Sequence, residues 1–93
     1  MANNSRLFLV TFDISDNKRR RTLTKYLKAK GVRVQRSVFE CWGDQKTENE
    51  FKNFFDRFYE TGDNIRMYTL KSEKNIITYG DGLEEQPEGF YIC

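Results

Sequence analysis

Asp13 closes an apolar run and three consecutive arginines follow it, the stretch of residues 7–21 reading LFLVTFDISDNKRRR. A carboxylate held at the end of a rigid strand is a ligand for a hard cation, and dense positive charge beside it suits a phosphate backbone. Nucleic acid is therefore the first partner to consider. Arg19, Arg20 and Arg21, with Lys25 and Lys28 on the next turns, would bind phosphates through charge and, for the arginines, paired hydrogen bonds. Two plainer readings stand beside this one. The basic residues also fit a solvated helix face, and a strand-end aspartate also serves by bonding backbone amides of the following turn.

Composition narrows the chemistry. The chain has 93 residues, a formal charge of +2 and no histidine, so Ser-His, Cys-His and two-histidine mechanisms are excluded. Any hydrolysis must draw its nucleophile from water activated by a metal or by a carboxylate base. Cys41 and Cys93 are the two cysteines. They lack the spacing of a zinc site and read as free thiols in a reducing compartment. The modest net charge hides an asymmetry: residues 18–36 hold nine of the sixteen basic side chains and no acid, whereas residues 81–93 hold four acids and no base. One surface should be markedly positive.

These residues need elements to position them. Residues 7–12 are apolar at nearly every position, as in a strand covered on both faces. Asp16 is a suitable N-cap for a helix from residue 17 to about 30, with Leu23, Tyr26 and Leu27 as its apolar stripe and Gly31 ending it. Residues 32–42, VRVQRSVFECW, are strand by composition. No turn dipeptide decides between one long strand and two short ones kinked near residues 35–37.

The stretch Thr47-Glu48-Asn49-Glu50 has the pattern of a capping box, and Phe51, Phe54, Phe55, Phe58 and Tyr59 follow at helical spacing. Such a stripe packs on a sheet, and Gly62 closes the helix. Residues 65–70 and 75–79 are two further strands, and a short last strand lies in residues 89–93. The whole chain, residues 1–93, forms one domain. It is an α+β sandwich with two helices on one face of an antiparallel sheet, ferredoxin-like if residues 32–42 are split. The other sheet face is also apolar, in Phe8, Val10 and Phe12 or their alternates, and a second copy of the chain is its simplest cover.

LFLVTFDISDNKRRR, then GVRVQRSVFECW, NIRMYTL and ITYGDG, together resemble the CRISPR-associated protein two family over residues 6–82. The most specific parts are the strand-end aspartate before an arginine-rich helix and the QxSVFE run of residues 35–40. The resemblance implies a ferredoxin-like homodimer whose two strand-end aspartates face each other across the twofold axis and share a magnesium or manganese ion, with Asp13 at the matching position. It implies metal-dependent endonuclease action on single-stranded RNA or double-stranded DNA. It also implies a place in CRISPR spacer acquisition, as the dimeric bridge between dimers of the CRISPR-associated integrase. Arg19 and Arg21 match the basic residues after the aspartate, Arg33 a basic position before the QxSVFE run, and Phe39 its aromatic. Ser37 and Phe39 are supporting positions, equally explained by packing at a sheet kink. One departure is Phe12, where many members carry tyrosine, so that hydroxyl is missing here.

Three functions remain distinct at this level: a magnesium-dependent endonuclease, a non-catalytic DNA-binding scaffold of the integrase complex, and a toxin ribonuclease of the related virulence-associated D type. An RNA-recognition module fares worse, because the RNP1 pattern is missing. The polar N-terminus MANNSR and the shortness of the apolar runs lead to the expectation of a cytoplasmic protein without a membrane partner.

Overall fold

The structure is a computed structural model, and it describes residues 5–71, 77, 79 and 80. The elements run β1 (Arg6–Asp13), α1 (Asn17–Lys28), β2 (Gly31–Gln35), β3 (Val38–Gly43), α2 (Gln45–Phe58) and β4 (Asn64–Leu70). The strands form one sheet in the order β2-β3-β1-β4, and every neighbouring pair is antiparallel. Each helix carries the chain past a strand before it rejoins the sheet, which is the ferredoxin-like split βαβ arrangement. The strands expected in residues 75–79 and 89–93 fall mostly or wholly outside the described residues.

Residues 32–42 form two strands. A bulge between Arg33 and Gln35 and a turn at Arg36 and Ser37 break the run. Arg33 closes this turn, its Nε and Nη2 donating to the Arg36 carbonyl at 3.1 and 2.9 Å. The turn is therefore held by a side chain and needs no Gly or Asn, so no turn dipeptide announces it.

Alternation along β1 decides the two faces. Phe8, Val10 and Phe12 point to the helices and join Ile14, Leu23, Leu27, Phe39, Cys41 and Phe51 in the core. Phe12 stacks on Phe39 with centroids 6.2 Å apart, and Phe8 meets Phe51 edge-on at 5.8 Å. Leu7, Leu9 and Thr11 take the alternate face, opposite Trp42, Glu40 and Val38 of β3 and Leu70, Tyr68 and Arg66 of β4. That face is mixed, with Glu40 and Arg66 among the apolar groups, and is less apolar than the sequence led us to expect.

The helix ends differ from expectation in two places. Helix α1 begins as expected, the Asp16 carboxylate accepting from the Arg19 amide at 2.8 Å, but it stops at Lys28 with Ala29 as its cap. Gly31 instead opens β2, where an added Cβ would lie 2.2 Å from the Glu40 carbonyl oxygen. Close strand approach, not helix termination, requires glycine there. Helix α2 starts earlier than the expected capping box, with Asp44 as N-cap and Thr47 at its third position. The Asp44 carboxylate accepts from the Lys46 and Thr47 amides at 3.0 and 3.2 Å, and these bonds hold it below the usual carboxylate range, the Thr47 amide most of all. The helix ends at Phe58, before Gly62, which takes a positive φ of 100° in the following turn. Phe51 is buried and Phe54, Phe55 and Phe58 pack partly against the core, whereas Tyr59 is exposed.

Candidate nucleic-acid interface and strand-end carboxylate

Asp13 is the last residue of β1 and pairs with Asn64 of β4. Its neighbours on either side are anchored in the core, Phe12 at 6% exposure and Ile14 at 2%. The backbone at residue 13 is therefore pinned from both sides while its own side chain is exposed. The carboxylate has no hydrogen-bond or ion-pair partner among the described residues, so the turn-bonding role does not occupy it. Both oxygens can receive a ligand.

A groove of about 630 Å³ runs beside this strand end, between α1 and the β2 edge. Its walls include Arg20, Arg21, Lys25 and Lys28 from α1 and Arg33 and Arg36 from the β2–β3 region, and none of the described residues lining it is acidic. The positive charge expected from the sequence is thus gathered in a concavity. Two hydrogen bonds tie the groove to the strand end. The Phe12 amide donates to the carbonyl of Ser37, a wall residue, at 3.2 Å, and Arg20 Nη1 donates to the Ile14 carbonyl at 2.7 Å. The residues immediately before and after Asp13 are each bonded to the groove wall.

The basic residues singled out from sequence do not form one set. Arg21, Lys25 and Lys28 are exposed on the groove side of α1 and have no side-chain hydrogen-bond or ion-pair partner among the described residues. Arg20 is on the wall but also bonded to the β1–α1 loop. Arg33 is on the wall, closes the β2–β3 turn and lies 5.9 Å from the Phe39 ring.

Arg19 points elsewhere. Its Nη1 donates to both Asp63 oxygens at 2.7 and 2.6 Å, its Nη2 donates to the Phe58 carbonyl, and its guanidinium lies 4.2 Å from the Phe58 ring centroid. The hydrogen bond from Arg19 holds the Asp63 carboxyl below its ordinary range and raises the guanidinium in turn. A phosphate would have to displace these partners, so Arg19 leaves the binding set and becomes a structural tie. Phe39 changes role as well: it is fully buried against Phe12 and can touch neither metal nor nucleic acid. Ser37 stays at the groove, through its carbonyl bond to β1.

Lys18, Thr22, Thr24 and Arg36 also line the groove, and sequence reasoning does not single them out. Arg36 reaches it only because β2 folds back beside α1. The acid-free run of residues 18–36 carries the signal, but its concave shape depends on the sheet order.

Asp13 fits a hard divalent cation in one respect, as an exposed carboxylate without a partner among the described residues, since magnesium takes one or two carboxylates and keeps several waters. Among the described residues no three His, Cys, Asp or Glu side chains gather into a metal-binding group. Among the described residues Asp13 therefore has no such cluster of further ligands around it. No helix among the described residues is long and apolar enough to cross a membrane.

Comparison with known proteins converges on one family. The sequence model of the family described as CRISPR associated protein Cas2 matches residues 6–75. A CRISPR-associated endoribonuclease Cas2 of Mycobacterium tuberculosis is 39% identical over 82 residues, which cover 88% of this chain and 73% of that protein. Among solved structures, a hypothetical protein from Thermus thermophilus superposes with a TM-score of 0.74 at 34% identity, covering 86% of this chain and 96% of that one. A chain in a partial Cas6-RT-Cas1-Cas2 complex superposes with a TM-score of 0.61 at 28% identity, covering 73% and 81% respectively.

Proposed function

This chain belongs to the CRISPR-associated Cas2 family, and from that premise we propose that it is a metal-dependent endonuclease that works as a homodimer in CRISPR spacer acquisition. Its relatives carry endoribonuclease names, and a structural relative sits in a complex with Cas1. These support a nuclease reading and the CRISPR-associated integrase as partner.

The observation that carries the reading is the placement of Asp13. Its carboxylate, without a partner among the described residues, stands between two residues hydrogen-bonded to the wall of a groove whose described lining is basic and holds no acid. A phosphodiester backbone held by Arg21, Lys25, Lys28 and Arg36 would run beside that carboxylate. RNA and DNA both present this chemistry, and the described groove lining contains no aromatic side chain for stacking bases, so backbone charge governs affinity and sequence does not.

Asp13 and its counterpart in a second copy would hold the magnesium or manganese ion. Such an ion, when bound, would stabilise charge on the phosphoryl oxygens and lower the pKa of water for attack. The chain's own contributions are different: Phe12 and Ile14 fix the carboxylate from the core, the groove aligns the backbone, and charge complementarity draws the substrate in. A cleavage panel of RNA and DNA with magnesium or manganese, comparing wild type with Asp13→Asn, tests the reading.

A second reading is favoured by one specific observation: among the described residues no group of three or more metal-ligating side chains forms. Nucleases with two metals assemble more ligands than this, so a non-catalytic dimer that clamps DNA beside the integrase uses the same groove without the chemistry. Integration by the partnered complex separates the two. Survival of integration in Asp13→Asn, with failure when Arg21 and Lys25 are replaced by Ala, supports the scaffold.

A further inference from the structure

We infer that Arg20 is a positioning residue for Asp13, bracing the loop that follows it rather than serving only as one more phosphate contact; the inference rests on the reading of Asp13 as the metal-binding carboxylate. Arg20 Nη1 donates to the Ile14 carbonyl at 2.7 Å and the Ser15 carbonyl at 3.2 Å, and Nη2 donates to the Asn17 side-chain oxygen. One guanidinium thus spans the two residues after Asp13 and the first residue of α1. Its own helix is anchored to the same loop, because the Arg19 amide donates to the Asp16 carboxylate at 2.8 Å and the Arg20 amide to the Asp16 carbonyl at 2.9 Å.

The fork shape matters here. Guanidinium carries five N–H donors in a fixed plane, and three acceptors of the loop use three of them. Two remain for the groove, whose wall includes Arg20. A phosphate can therefore bind on one edge while the other edge keeps its hold on the loop, so the same side chain links groove occupancy to the geometry beside Asp13. A lysine would preserve the charge but supplies one compact ammonium on a flexible stem and cannot hold this planar set of acceptors. Charge and bracing are separable by that single substitution.

The test compares wild type, Arg20→Lys, Arg20→Ala and Arg21→Lys in the full-length protein. Amide hydrogen exchange at residues 19 and 20 reports the N-terminal turn of α1 directly and needs no activity. Line broadening by Mn2+ at residues 12–15, with Asp13→Asn as reference, reports metal held at the carboxylate. Arg20→Lys should speed exchange by about ten-fold as the braced turn opens locally and weaken apparent Mn2+ affinity by about five-fold. Its salt slope on a DNA duplex should stay near wild type, because the charge is kept. Arg21→Lys should leave exchange in that turn unchanged. Exchange in Arg20→Lys equal to wild type would overturn the bracing. So would full recovery of every property by lysine where alanine fails, which would make Arg20 a phosphate contact alone. Unchanged Mn2+ broadening in Asp13→Asn would instead remove Asp13 as the ligand, and with it the purpose assigned to Arg20.

Discussion

Arg19 and Asp63 close the seam between the start of α1 and the turn that enters β4, the guanidinium reaching both carboxylate oxygens at 2.7 and 2.6 Å. The same carboxylate accepts from the Glu60 amide at 2.9 Å, so one side chain ties the turn to itself and to the first helix. Asp63 is nearly buried, with 7% of its side chain exposed. Removing either partner leaves the other without these hydrogen bonds. Arg19→Ala or Asp63→Ala should lower the unfolding midpoint in denaturant titration by removing these bonds, while duplex binding by the folded fraction stays intact.

The same pair sets a pH dependence. Asp63 is held below its ordinary value near 3.8, first by the hydrogen bond from Arg19. A depressed folded-state value adds stability that is present above the unfolded value and is lost as pH falls through the folded one. Unfolding midpoints measured on either side of pH 4 should therefore fall less steeply on acidification in Asp63→Asn than in wild type. Equal slopes would show that the pair contributes nothing to acid sensitivity. Asp44, held low by its capping bonds, acts in the same direction, and Asp44→Ala should remove this second acid-sensitive group.

The groove residues should behave differently from Arg19. Arg21, Lys25 and Lys28 have no partners among the described residues to lose, so alanine at each should leave stability nearly unchanged. On duplex DNA, each side chain that no longer neutralises a phosphate should lower the log-log salt slope by about 0.9, with sequence preference barely altered. An unchanged slope in the triple variant would return this face of α1 to a solubility role. Arg19→Ala, if it lowers the slope by as much as a groove residue does, would show that the guanidinium leaves Asp63 for phosphate.

Much of this fold is legible in the chain because local chemistry announces it. Asp16 caps α1 where expected, and the Phe51, Phe54, Phe55 and Phe58 stripe lies on α2. The start of α2 is displaced because Asp44 offers a better cap than Thr47 and its carboxylate can reach two amides. Asp13 reads correctly as a strand-end residue because the apolar run stops there. The differing fates of Arg19, Arg20 and Arg21 are not legible. They occupy consecutive positions on one helix, about 100° apart, and only the tertiary structure shows that Arg19 meets Asp63, forty-four residues away, while Arg20 meets the loop and Arg21 the groove. Arg36 enters the groove for the same reason.

Phe39→Ala should abolish any activity by unfolding the protein rather than by removing a chemical group. The side chain is fully buried and stacked on Phe12, and truncating such a core aromatic costs about 3–5 kcal/mol. Thermal melts should show the loss before any nuclease assay does. Phe39→Leu, which keeps most of the volume, should recover both stability and function together; recovery of stability alone would give Phe39 a part in the chemistry.

The strand-end carboxylate is tested most directly by purifying wild type and Asp13→Asn side by side, free of contaminating nuclease, and measuring cleavage of RNA and duplex DNA with magnesium or manganese. The substitution keeps size and some hydrogen bonding while removing the metal-binding charge. Wild type should sediment as a dimer and cleave, and Asp13→Asn should remain folded, dimeric and able to bind duplex while cleaving nothing. Metal-dependent cleavage that persists unchanged in Asp13→Asn would contradict Asp13 as the essential ligand, and a wild-type dimer that cleaves no substrate in the panel would contradict the nuclease itself.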